Sequence, residues 1–172
     1  RIKVLDFSQN NDIKIPWELS RLQWLIPMGQ AYLLNGEKRY AQATREVIID
    51  WARANPLGRG VNWACTMEVA LRCITLVWLF KVFYQSAAWR DSKFRSIYLK
   101  LVYLHGSFII SNLEWSDVNG NHLTSNAAGL VVVGLFFGNG EGPQSWSKRG
   151  WQILNNEIPK QVFQDGVNFE AS

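Results

Sequence analysis

At 172 residues, 48% hydrophobic and 19% charged, the chain can bury a sizeable core, which excludes a disordered or fibrous polypeptide. Its formal net charge of +4 suits a polyanionic partner. The basic residues are scattered (Arg39, Arg45, Arg53, Arg59, Arg72, Arg95) rather than gathered into a stripe, so no nucleic acid is expected. The longest apolar stretch, Ala127 to Phe137, is broken by Gly129 and Gly134 and is too short to cross a bilayer, so no membrane partner is expected either.

Helical periodicity runs through nearly the whole chain. Trp17, Arg21, Trp24, Met28 and Tyr32 recur at three- and four-residue steps and predict a first helix, stopped by Asn35-Gly36. Tyr40, Thr44, Val47, Ile48 and Trp51 predict a second, ended by Asn55-Pro56 because a residue before proline avoids the helical region. A third runs from about Thr66 to Phe83 and is apolar on more than one side, the mark of an inner helix. Phe94, Tyr98, Leu101, His105 and Phe108 set a fourth, extending to about Trp115. Leu123 to Phe137 is a fifth, apolar all round and therefore inner. A sixth, more polar, covers about Ser145 to Val162, with Pro159 expected to kink it or end it early.

No strand is legible. Six helices joined by short Gly/Asn/Pro turns imply an all-α fold of stacked antiparallel hairpins, read as one helical domain over 1–172. Inner helices alternating with amphipathic ones suggest part of an α/α toroid rather than a four-helix bundle. No strict repeat points to a solenoid.

The 9 Trp, 9 Phe and 5 Tyr supply core area, but Trp and Tyr faces also stack on sugar rings, and composition leaves both uses open. Cys65 and Cys73 lie eight apart in one helix, about 12 Å, too far for a disulfide. With two histidines and no CxxC or HExxH, the chain shows no metal-ligand spacing, and neither metal nor cofactor is expected.

Two connections are too rich in polar and aromatic residues to be mere linkers. The first, Asn55 to Glu68, carries Arg59, Asn62, Trp63 and Glu68; the second, Glu114 to Asn126, carries Asn119, Asn121, His122 and Asn126. Both precede inner helices and should open at the same end of the array. Helix N-termini there favour an anion. Each residue also has a structural reading. Asn119 or Asn121 is a natural N-cap, and His122 and mid-helix His105 could be satisfied structural histidines. Glu68 and Arg72, four apart, could form an intrahelical ion pair. Asn62 and Trp63 could be turn and core.

Four segments in order, Asp12-Ile-Lys-Ile-Pro-Trp-Glu-Leu-Ser-Arg21, Gly60-Val-Asn-Trp-Ala-Cys-Thr-Met-Glu-Val-Ala-Leu-Arg72, Gly120-Asn-His-Leu-Thr-Ser-Asn126 and Asp165-Gly-Val-Asn-Phe-Glu-Ala-Ser172, resemble the heparinase II/III-like family. The resemblance implies an α/α toroid followed by an antiparallel β-sandwich, and cleavage of an acidic, uronate-containing polysaccharide by β-elimination. It implies that Asn121 neutralises the substrate carboxylate and that His122 corresponds to the histidine of alginate-lyase-like members. Arg21, Asn62, Trp63, Glu68 and Asn126 are then expected to bind substrate or shape its groove. The family tyrosine would follow Ser172 closely, and a further histidine would come from the sandwich, so the chain is expected to be a fragment. It also implies a periplasmic or secreted location, although no signal peptide stands at Arg1. Oligomeric state stays unassigned.

Two rival functions share this architecture. An inverting glycoside hydrolase needs two carboxylates about 6.5–9.5 Å apart, for which Glu68 and Asp117 are the attractive pair. A helical module could also bind acidic polysaccharide without turning it over.

Overall fold

A computed structural model describes residues 12–170. Among them are eight α-helices and two 3-10 turns, with no strand beyond an isolated bridge between Val162 and Asn168. The last two residues of the fourth motif, Ala171 and Ser172, lie outside the described residues.

The first predicted helix is two. Helix α1 (Lys14–Ser20) ends where Leu22 turns left-handed at φ 59°, a 3-10 turn follows over Gln23–Leu25, and α2 covers Ile26–Asn35. Pro27 explains the break. It has no N–H to bond back to Gln23, so it sits in the first turn of a new helix. Leu22 is a strained conformer, and its side chain and that of Leu25 are buried in the core, which offsets the strain. Gly36, at φ 70°, donates its N–H to the Tyr32 carbonyl and closes α2.

Helix α3 (Lys38–Ala54) buries Ala41, Thr44, Ile48 and Trp51, one face at helical spacing. The Asn55 amide caps it by donating to the Trp51 carbonyl at 2.9 Å. Helix α4 (Thr66–Phe83) has the bounds expected and is buried on several sides. A short α5 (Ala87–Arg90), unmarked by any periodicity, brings Trp89 into the core, where its Nε1 donates to the Ala41 carbonyl at 2.9 Å. Asp91 then caps α6 (Ser92–Ser111) by accepting from the Phe94 N–H at 2.7 Å. This helix ends four residues before Trp115, because Glu114 is drawn away by contacts described below.

Helix α7 (Asn121–Phe137) is followed by α8 (Glu141–Gln161), which is longer than expected at its N-terminus and includes Pro159 in its last turn. Pro159 does not end it early because Asn155, whose carbonyl loses its partner, is exposed to water. The fold is all-α. Thr66 bonds the Asn112 carbonyl and Tyr98 the Leu76 carbonyl, so α4 and α6 are antiparallel. Ala70 lies against Gly129 and Phe80 against Phe136, so α4 and α7 run in the same direction. Their N-termini therefore meet at one end. Beyond α8 the chain turns at Asp165-Gly166 and returns, with the Phe169 N–H donating to the Gln161 carbonyl at 2.8 Å.

Candidate functional site

The connection from α6 to α7 folds against the N-terminus of α4. The Glu114 carboxylate accepts from the Thr66 and Met67 N–H groups at 3.3 and 2.8 Å, so it caps α4 from a distant part of the chain. Asn126, fully buried in α7, locks Glu114 from behind. Its Nδ2 donates to Glu114 Oε2 at 3.1 Å while its Oδ1 accepts the Glu114 N–H at 2.9 Å. On the open side, His122 Nδ1 lies 3.3 Å from Glu114 Oε1. Burial by itself would raise the Glu114 carboxyl, but its hydrogen bonds with Asn126, His122 and the Met67 N–H outweigh that and hold it below the ordinary carboxylate value.

A recess of about 300 Å³ opens here, lined by Glu114, Trp115, Ser116, Val118, Gly120, Asn121, His122 and Glu170. Asn121 and His122 start α7 and are exposed on its wall. Asn121 is not the N-cap. Gly120 occupies that position, and the Asn121 N–H donates to the Glu170 carboxylate at 2.7 Å. A carboxylate thus already sits at this helix N-terminus. Asn119 does not cap α7 either: its Oδ1 accepts the Ser116 N–H, and its Nδ2 donates to Glu157.

The remaining expected residues form a second cluster beneath the first connection. Arg21 grips Glu68 through two hydrogen bonds, Nε to Oε2 at 2.7 Å and Nη2 to Oε1 at 2.8 Å. The bond to Glu68 holds the Arg21 guanidinium above its ordinary value. Glu68 is 1% exposed and already paired, so it cannot present a free carboxylate to a cleft, which removes the Glu68–Asp117 hydrolase pair. Nor does Glu68 pair with Arg72. Trp63 is buried, its Nε1 donating to the Asn55 carbonyl and its ring 4.8 Å from His105, so neither face is open to a sugar. Asn62 bonds Asn55 through its side chain. These four side chains support the connection from below, and Asn126 does the same through Glu114.

Arg72 and His105 anchor that support. Arg72 Nε donates to His105 Nε2 at 2.9 Å, Nη2 donates to the Asn62 carbonyl at 2.9 Å, and the guanidinium lies 4.4 Å from the Trp51 ring centre. Because Arg72 can only donate, His105 Nε2 must accept, so Nδ1 carries the hydrogen and donates to the Leu101 carbonyl at 2.8 Å. Burial, reinforced by the Arg72 charge, pushes His105 down to about 3. Burial also lowers Arg72 to about 9, which leaves it charged at neutral pH.

Glu114 is the residue that sequence reading passed over. It opened the second connection without an assigned role, because its partners lie 12 residues away in Asn126 and 47–48 away at the α4 N-terminus.

Residues 5–172 match the family model described as Heparinase II/III N-terminus. The chain is 29% identical over 180 residues to a heparin-sulfate lyase of Bacteroides stercoris, covering 92% of this chain and 26% of that protein. It is 30% identical over 166 residues to a heparin-sulfate lyase of Pedobacter heparinus, covering 94% and 24%. The crystal structure of heparan sulfate lyase HepC from Pedobacter heparinus superimposes with a TM-score of 0.79 at 28% identity, over 98% of this chain and 27% of that one. A heparinase III crystal structure gives 0.76 at 26% identity, over 97% and 27%. The chain thus spans about a quarter of the length of the relatives it matches.

Proposed function

Because this chain belongs to the heparinase II/III family, we propose that it is the helical part of a polysaccharide lyase that cleaves a uronate-containing glycosaminoglycan by β-elimination. In this reading the helices form part of an α/α toroid in a single helical domain, and a β-sandwich elsewhere in the protein completes the site. The names of the relatives favour a sulfated heparin- or heparan-type polymer over alginate. The family's exported bacterial members make a periplasmic or secreted location part of the same proposal.

The observation that carries the reading is the chain Asn126–Glu114–His122 beside Asn121, at a helix N-terminus open to solvent. Elimination removes the weakly acidic C5 proton next to the uronate carboxylate and expels the 4-O-linked sugar. The Asn121 amide, a neutral donor, would hold that carboxylate and stabilise the enolate-like charge as it develops, a contribution of about 2.7–4 kcal/mol for such a donor. With its Nδ1–H directed at Glu114, His122 keeps Nε2 as a proton acceptor, and Glu114 stabilises the charged ring if it takes a proton. Arg21, Glu68, Asn62 and Trp63 hold the neighbouring connection in shape.

The test uses the full-length protein with heparan sulfate, heparin and alginate, following the ultraviolet absorbance of the unsaturated product. Wild type should form that product, and Asn121→Ala should lower kcat by about 10²–10³-fold. Wild-type turnover in Asn121→Ala would sink the assignment. Reducing sugar released without the chromophore would replace elimination by hydrolysis, and binding without any product would leave a non-catalytic module.

A further inference from the structure

Linear spacing shows no metal motif, but the fold brings three metal-ligating side chains together from three segments. Cys65 stands immediately before α4, Glu114 lies after α6, and His122 is in the first turn of α7. Cys65 Sγ is 3.9 Å from His122 Nδ1, and His122 Nδ1 is 3.3 Å from Glu114 Oε1. One donor atom from each lies within 4.8 Å of the other two.

We propose that Cys65, Glu114 and His122 form a binding site for a zinc-class divalent cation, and that occupation of this site switches the recess off. The second half rests on the lyase reading; the first half does not.

Donors held about 2.0–2.3 Å from a tetrahedral zinc stand roughly 3.3–3.8 Å apart. The His122–Glu114 and Cys65–His122 separations, 3.3 and 3.9 Å, are close to that before any adjustment. A thiolate, an imidazole and a carboxylate together select zinc-like cations over magnesium or calcium, which prefer oxygen donors. The supporting shell is already built. Asn126 and the Thr66 and Met67 N–H groups fix the Glu114 carboxylate, as the outer partners of metal ligands do. Three protein donors leave a fourth position for water or a substrate oxygen. Glu114 and His122 line the solvent-open recess, which gives the cation a way in.

Binding is an exchange of protons with no redox step. The Cys65 S–H bond breaks, its proton leaves to solvent, and a sulfur–metal bond forms. Cys65 is buried, and that burial pushes its thiol up to about 11, so without a cation it is a neutral S–H beside His122. The metal also takes the His122 Nδ1 lone pair, which moves the ring hydrogen to Nε2. Nε2 then changes from proton acceptor to donor, and Glu114 is drawn to the metal. Both changes remove what the elimination requires of His122.

Two readouts on the full-length protein test this. Titration with Co²⁺ should produce the near-ultraviolet thiolate-to-cobalt charge-transfer absorption in the wild type and lose it in Cys65→Ser. Zn²⁺ should inhibit product formation in a way that a chelator reverses. Cys65→Ser should keep its basal turnover yet need roughly tenfold more Zn²⁺, or more, for the same inhibition. Cys65→Ala serves if the serine variant does not fold. Equal inhibition of wild type and Cys65 variants, or a cobalt spectrum indifferent to Cys65, would overturn the proposal. If no polysaccharide is cleaved at all, the lyase reading fails, while the cobalt absorption still decides whether the cation site exists.

Discussion

Glu114 shows how one side chain can organise the whole end of the molecule. It caps α4, receives Asn126 from behind and faces His122 in front, so its charge serves a helix terminus and a candidate catalytic ring together. Glu114→Gln keeps the size and an acceptor oxygen but loses the charge that fixes the His122 tautomer. Expected is a lower kcat with KM nearly unchanged and an altered pH profile, the loss bounded by the about 10²–10⁴-fold that a general acid–base group contributes. A loss confined to KM, with the pH profile intact, would show that Glu114 shapes the groove instead of orienting His122. A short motif placed Asn121 and His122 at a helix start, and the structure exposes both there. Glu114 was not legible in this way, because no local pattern links it to Thr66, Met67 or Asn126. Asn126 and Trp63 read as polar or aromatic candidates for a substrate contact, and only their burial shows that they act from beneath.

Among the elements, α7 and α8 make the closest approach. A Cβ at Gly150 would stand 2.6 Å from the Ala127 carbonyl oxygen and 3.0 Å from the Val131 nitrogen, both backbone atoms that cannot swing aside. Gly134 meets the backbone of Pro143 and Ser147 in the same way from the α7 side. In an open helix interior, glycine to alanine stabilises by up to about 1 kcal/mol. At this crossing the sign should reverse: Gly150→Ala is expected to destabilise by about 1–3 kcal/mol, as overpacked cores do. The denaturation midpoint of the helical unit checks it, and a raised midpoint would refute the close-packing account. Periodicity located α4 to the residue, because the whole helix is inner and its apolar pattern runs from end to end. It joined α1 and α2 wrongly, since Trp17, Trp24 and Met28 keep a helical rhythm across a break imposed by Pro27 and the left-handed Leu22. The four-residue α5 is too short to carry a period.

At the scale of the molecule, the buried Arg72–His105 pair ties α4 to α6, and the fold is expected to lose stability in acid through it. The His105 value is lowered in the folded state, from 6.5 to about 3. Between those two values the unfolded chain binds the additional proton. Stability from this group is therefore full above about pH 6.5 and falls as pH drops towards 3, by up to about 1.4 kcal/mol per unit. Glu114 adds to this in the same direction, since a carboxyl lowered on folding loses its contribution as pH falls through its folded value. Native-state hydrogen exchange of α4 and α6 amides should show protection declining from pH 6.5 to 5. The decline should flatten in His105→Gln. An unchanged slope in that variant would mean that His105 does not govern it.

The sequence by itself determined the all-α class, the places of α3, α4, α6, α7 and α8, and the two polar connections that open at one end. It could do so because these follow from local rules, the 3.6-residue period and the conformational demands of Gly, Asn and Pro. The four ordered motifs also pointed to the family. Only the tertiary structure decided which polar residues face solvent and which are consumed inside: Glu68 by Arg21, Asn126 by Glu114, and Arg72 by His105 rather than by its helical neighbour Glu68. Burial penalises an unpaired charge or amide until it finds a partner. Which partner it finds depends on segments far apart in the chain, so that choice is invisible until α4, α6 and α7 are brought together.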